Sequence, residues 1–321
     1  MILTVTLNAA LDRAVAVPSV RAGHRHRATD SRSAAGGKGV NIARALRRLG
    51  MPVVATGLAG GPTGARIREL LDADEVLHDF VEVAGDSRTN IAILDPTTGE
   101  QTEINERGPE VSAHELERFV DRLRYLAGGA SFCVVAGSVP PGVPPETYAE
   151  MISELRGLDL PVLLDTDGEP MRAGLRAQPS VVAPNVAEAE EVVGHEFNDA
   201  DDLWMGISGL VEMGAREAII TRAAGCVAEI CDDSGLRRRC EVELEPLEGV
   251  ATVGSGDAFL AGYVAARHRG DQAEDCLAYG VACGAESTLH MGAGILDPTA
   301  VEPLLDRVSV RPVNASATAS R

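Results

Sequence analysis

The sequence predicts an α/β protein: a mostly parallel central sheet with helices on both faces, plus a small β lid. Three observations carry this. Short β-rich runs alternate with amphipathic stretches from end to end of the 321 residues. Nearly all of those runs are continuously apolar, as strands covered on both faces must be. Two segments break the pattern with a period of two, as half-exposed strands do.

In chain order, the strand candidates are ILTVTL (2–7), PVVATGLAG (52–60), SFCVVAG (131–137), PVLLDT (161–166), SVVAPN (180–185) and EAIIT (217–221). Between them lie apolar residues at helical spacing: Ile42, Leu46 and Leu49; Leu116, Phe119, Leu123 and Leu126; Leu203, Ile207 and Leu210. Such alternation builds a sheet layered between helices, and ligands of these sheets bind beyond the carboxyl ends of the strands. The exceptions, 11–33 and 86–106, read as antiparallel strands projecting from the main sheet, a lid over a site. The second holds a hairpin signal, DPTTGE, between IAIL and QTEI. The expected organisation is one α/β domain over 1–308 with these lid insertions, followed by a small, polar tail, 309–321, expected to fray.

Composition narrows the function. With 29 Lys plus Arg against 48 Asp plus Glu, the net charge is −19, which opposes nucleic acid and anionic membranes, so a phosphorylated ligand needs a local basic patch. An aromatic content of 3% offers no stacking platform for bases. The six cysteines show no C-x-x-C pair and no His at metal-ligand spacing, and read as reduced and mostly buried. No apolar run is long enough for a membrane helix and the start lacks a secretory signal, so the expected location is cytoplasmic.

Two segments carry chemistry. AAGGKGVNIARALRRLG, 34–50, sets Gly36, Gly37, Lys38 and Gly39 directly before an amphipathic helix, where amides and an ammonium can hold an anion. Taken alone, it could equally be a tight turn into a helix. ATVGSGDAFLAGY, 251–263, sets Gly254, Ser255 and Gly256 before Asp257 at another helix start. An acid there can be a simple N-cap. The flanking glycines also allow a nest of amides for a transferring phosphoryl group beside a general base, the minimum for phosphoryl transfer to an alcohol.

Together these segments resemble the two signatures of the PfkB carbohydrate kinases, and the resemblance covers nearly the whole chain. TLNAALD (6–12), RTN (88–90), EINERGP (103–109), GSVPPGVP (137–144) and APNVAEAEE (183–191) are similar to the branch that phosphorylates hexose phosphates. The resemblance implies a ribokinase-like three-layer fold and ATP- and Mg²⁺-dependent transfer to a phosphorylated ketohexose. The C6 hydroxyl of fructose 1-phosphate comes first, with tagatose 6-phosphate and fructose 6-phosphate as alternatives. It implies Asp257 as catalytic base, with the amides of Gly254, Ser255, Gly256 and Asp257 as the anion hole. Asp12, Gly37, Lys38 and Asn41 then hold the sugar, and Arg88 meets its phosphate with Arg27, although the HRHR run at 24–27 also reads as a solvated charge cluster. Asn185 and Glu188 match the family's N-x-x-E, which organises Mg²⁺ through water. Thr221 and Gly225 fall in the nucleotide loop, and VACGAEST, 281–288, resembles the adenine-pocket wall. A homodimer through the lid strands is also implied.

Departures from the family are Ala223, Ala183 and Arg107, where relatives carry glycine, lysine and proline, and Ala251 in place of an acid. The first two motivate a rival reading: a sugar-phosphate or nucleotide sensor on a kinase scaffold.

Overall fold

A computed structural model describes residues 1–231, 235–245, 247, 249 and 253–313. The apolar runs become the heart of a ten-stranded sheet. β1 (Ile2–Thr6) lies between β4 (Val53–Gly60), which pairs with the edge strand β5 (Leu77–Val83), and β8 (Phe132–Ala136). Beyond β8 follow β9 (Val162–Asp165), β10 (Val181–Val182) and β11 (Glu217–Arg222), all parallel. β12 (Gly225–Cys231), β13 (Arg237–Glu243) and β14 (Ser309–Val313) complete it as an antiparallel wing.

Alternation along the strands divides the core between the two faces. Ile2, Val134, Leu163 and Ile219 pack with α1 (Lys38–Arg48), α2 (Gly61–Ala73), α8 (Ser255–Arg269), α9 (Ala273–Ser287) and α10 (Pro298–Leu305). Leu3, Cys133, Leu164 and Ile220 pack with α3 (Ala113–Ala127), α4 (Thr147–Gly157), α5 (Gly168–Arg176), α6 (Val186–Val193) and α7 (Ala200–Glu212). Two buried faces explain why the parallel strands read as unbroken apolar runs.

The lid is a separate four-stranded sheet in the order β3-β2-β6-β7, formed by β2 (Ala10–Ala16), β3 (Asp30–Gly36), β6 (Arg88–Leu94) and β7 (Gln101–Asn105). Each segment forms one antiparallel pair as expected, but the two pairs join through a parallel β2–β6 ladder. The tail differs from expectation over its first part. Ser309–Val313 pair antiparallel with β13, because that strand presents an open edge and Val310 lies opposite Val242. The rest of the tail lies outside the described residues, as does Ala251.

Five cysteines are buried and Cys231 is partly so, with no disulfide, and burial pushes their thiols up. Among the described residues no helix is long and apolar enough to cross a membrane.

Candidate active site

The carboxyl ends of β9, β10 and β11, the starts of α1 and α8 and the inner side of the lid enclose a cleft of about 1060 Å³. Asp12, Gly37, Lys38, Asn41, Arg88, Asn185, Glu188, Thr221, Gly225, Gly254, Ser255, Gly256 and Asp257 all line it.

Asp257 sits in the first turn of α8 with only 7% of its surface exposed. It is not the N-cap. Gly254 occupies that position in a left-handed conformation, φ 83°, and no side chain caps the helix. A Cβ on Gly254 would lie 2.5 Å from the Cβ of Ala293, so only glycine fits this turn. Among the described residues, no side chain accepts from the helix-start amides of Ser255, Gly256 and Asp257, and the space beside Gly256 is open.

Charge converges on the Asp257 carboxyl. Asn41 donates to it from Nδ2 at 2.8 Å. Burial first, then the negative charge of Asp165, push its pKa up to about 7, against the pull of Lys38 and the Asn41 hydrogen bond. The Lys38 ammonium sits 3.1 Å from Asp165 Oδ1 and 3.0 Å from Glu188 Oε1. Burial works against its charge, but these carboxylates and Asp257 outweigh it and raise the lysine pKa. Asp165, at the end of β9, was not anticipated from the sequence. It is raised by burial and held by Lys38.

The lid brings the polar groups that suit a polyol. Asp12 Oδ1 accepts from Asn90 Nδ2 at 2.9 Å, and burial raises the Asp12 carboxyl. Among the described residues, the side-chain Oδ1 atoms of Asn41 and Asn90 are buried without a hydrogen-bond partner, so each can accept from a sugar hydroxyl. Arg88 donates through Nε to the Asn8 carbonyl and through Nη1 to that of Glu106, both at 3.1 Å, which fixes the guanidinium and leaves its other N–H groups for an anion.

Arg27 is a correction. β2 ends at Ala16 and β3 begins at Asp30, so residues 17–29 form the outer tip of the lid. Asp12 is four residues inward, roughly 13 Å along the strand. Arg27 is exposed there and does not line the cleft of its own chain, whereas Arg32 and Arg13 do.

On the opposite side, Asn185 caps α6 in a reciprocal box with Glu188: Glu188 N donates to Asn185 Oδ1 and Asn185 N to Glu188 Oε2, each at 3.0 Å. Both Glu188 oxygens are thus engaged, and among the described residues no cluster of three or more His, Cys, Asp or Glu could cage a metal. This donor set fits a hydrated Mg²⁺ held through water and does not fit a fully protein-ligated ion. Thr221 bridges to Asn185 at the end of β11. Gly225 closes the β11–β12 hairpin, where a side chain would meet the Val242 carbonyl at 2.0 Å. Ala183, Ala223, Leu244, Val281, Gly284, Ala285 and Thr288 complete a smooth wall.

Residues 5–300 match the pfkB family carbohydrate kinases. The chain is 32% identical over 90% of its length to a 1-phosphofructokinase of Borreliella burgdorferi, covering 92% of that protein. Its structure matches that of phosphofructokinase-2 from Escherichia coli in complex with substrates and products, with a TM-score of 0.88, 26% identity, and 95% of this chain and 98% of the other covered. The fold alone is shared with Arabidopsis thaliana ribokinase complexed with ribose and ATP, at a TM-score of 0.72 and 20% identity, over 95% and 98% of the chains. A glycine-capped helix start bearing a buried acid, a lid lined with polar side chains and an intact family match over nearly the whole chain lead to one conclusion: this chain belongs to the pfkB family of carbohydrate kinases and is a phosphotransferase with the ribokinase-like fold.

Proposed function

We propose that the chain transfers the γ-phosphoryl of ATP to the C6 hydroxyl of fructose 1-phosphate. One observation carries the chemistry: a buried carboxyl, Asp257, in the first turn of α8 beside the amides of Ser255 and Gly256, its pKa pushed up by burial and by Asp165. Its reactive form is the carboxylate, and its raised basicity suits it to take the hydroxyl proton. As the C6 oxygen bonds to the γ-phosphorus, the bond from that phosphorus to the bridging oxygen breaks, ADP leaves, and the proton passes to Asp257. The amides of Ser255, Gly256 and Asp257 donate to the transferring group, whose charge they are oriented to receive. Asn41 holds Asp257, while Asp12 and Asn90 orient the sugar hydroxyls. Lys38 and Arg88 supply positive charge in an otherwise acidic molecule.

Mg²⁺, organised through water by Asn185 and Glu188, would screen the phosphate charge of ATP when bound. Thr221, Gly225 and the 281–288 wall face the nucleotide. Fructose 1-phosphate is favoured by the relative of Borreliella, and the Escherichia neighbour makes fructose 6-phosphate the second reading. Val15, Ile93 and Ile104 share the lid face opposite Asp12, Ile104 being 53% exposed, and support lid-to-lid pairing of two copies.

ADP release measured with fructose 1-phosphate, fructose 6-phosphate, tagatose 6-phosphate, fructose and ribose tests the proposal. The expected order puts fructose 1-phosphate first in kcat/KM, by about tenfold or more over the others. A higher value with any other sugar refutes the substrate. Ligand-induced thermal stabilisation without turnover would refute the reaction.

A further inference from the structure

Asn8 does not line the cleft, yet it sits where four segments that build its sugar-phosphate end meet. It lies in the turn after β1, one residue beyond Leu7, and is 4% exposed. Its Nδ2 donates to the Arg107 carbonyl at 3.0 Å and to Ser138 Oγ at 3.2 Å. Its backbone carbonyl, not its side chain, accepts from Arg88 Nε at 3.1 Å, and Arg88 in turn reaches the Glu106 carbonyl beside Arg107. The contacts form a closed ring: end of β1, start of β6, the 106–109 segment, and the 137–138 segment after β8.

The ring is built tightly around the amide. Gly108 has φ 91°, and a Cβ there would fall 2.2 Å from Asn8 Oδ1, so the 106–109 segment folds directly over the carboxamide. Only an amide of this length supplies two N–H donors from one nitrogen here. Aspartate has no such donors, leucine none at all, and glutamine is one methylene too long for a packed site.

We infer that Asn8 is a positioning residue for recognition of the phosphate on the acceptor sugar: its amide ties the Arg107 and Ser138 segments together, and through the neighbouring Glu106 carbonyl steadies Arg88, without touching substrate. The inference rests on the proposed sugar-phosphate kinase reading. Its consequence is selective. Losing the Asn8 amide leaves its backbone bond to Arg88 intact but frees the Arg107 and Ser138 segments, and with them the Glu106 carbonyl that holds Arg88 Nη1. Errors of about an ångström in a positioning group cost up to about 100-fold.

The test compares wild type with Asn8→Leu, which keeps volume without donors, and Asn8→Ser, a smaller polar variant that serves if Asn8→Leu does not fold. The expected result is a KM for fructose 1-phosphate raised about 10- to 100-fold, with kcat at saturation and the KM for ATP within about threefold. The kcat/KM preference for fructose 1-phosphate over fructose should shrink by the same factor. An unchanged sugar-phosphate KM in a folded variant overturns the inference, as does an equal rise in the KM for ATP or an equal fall in kcat, the mark of a merely structural role. The wild-type measurements separate the two claims. If another sugar phosphate is preferred, the substrate assignment fails and the Asn8 comparison is made with that compound. If an unphosphorylated sugar is preferred, both fail.

Discussion

Replacing Asp257 by asparagine separates chemistry from stability, and the structure fixes the sign of both effects. The substitution preserves shape and leaves an amide that Asn41 Nδ2 can still meet, so the cleft should persist. Turnover should fall by about 10² to 10⁴, the usual worth of a general base, with little change in sugar affinity. The stability effect runs the other way. The carboxyl titrates at about 7 in the fold, raised from 3.8 chiefly by burial and by Asp165. A group whose pKa is raised by folding stabilises the protein fully below its unfolded value, and that contribution disappears as pH climbs through the folded one. At about 1.4 kcal/mol per pKa unit, wild type forfeits on the order of 4 kcal/mol between about pH 4 and pH 7. Asparagine has no proton to lose, so the variant should gain on wild type across that window and be the more stable protein at pH 8. Urea unfolding of both proteins without ligands at pH 5 and pH 8 reads the difference, and a coupled ADP assay reads turnover. Near-normal turnover in the variant, or a stability gap that does not widen toward pH 8, would refute the assignment of Asp257 as a buried base.

Other expectations follow from the same geometry. Wild-type kcat/KM should fall with decreasing pH below about 7, as Asp257 takes up its proton. Because Lys38 depresses the pKa values of Asp257 and Asp165, Lys38→Ala should move that limb to higher pH and weaken sugar-phosphate binding; an unmoved pH profile would contradict the electrostatic coupling. Arg88→Ala should raise the KM for fructose 1-phosphate by about 10- to 100-fold, and an effect seen only in the KM for ATP would argue against an anion contact. Gly254→Ala forces a side chain into a left-handed turn and against Ala293. It should lower stability by about 1–3 kcal/mol and raise the KM for ATP, as thermal melts and steady-state kinetics will read.

Much of this was legible in the sequence because the relevant physics is local. Continuous apolar runs marked every parallel strand except β5, and the two glycine-rich helix starts marked the anion-facing ends of α1 and α8. β5, β12 and β13 were harder. LHDFVEV and RRRCEVE carry charges that pair with neighbours or face solvent, so their apolar residues are too few to stand out. The tail became a strand only because β13 offered an edge, which no local pattern could announce. Asp165 read as the end of a strand. Its role depends on Lys38, 127 positions away, and on their mutual burial. Asn8 was hidden in the same way, since its partners lie about a hundred residues along the chain. Arg27 was placed wrongly because spacing in sequence does not reveal how far a hairpin carries its tip from its base.

The lid and the main sheet are separate hydrogen-bonded bodies, and the reaction is divided between them. Asp12, Asn90 and Arg88 travel with the lid; Asp257, Asn41 and Lys38 are anchored to the helices of the larger layer. In the proposed reaction the lid would present the sugar hydroxyl and the larger layer would take its proton, so transfer would require both sheets to hold the same substrate at once.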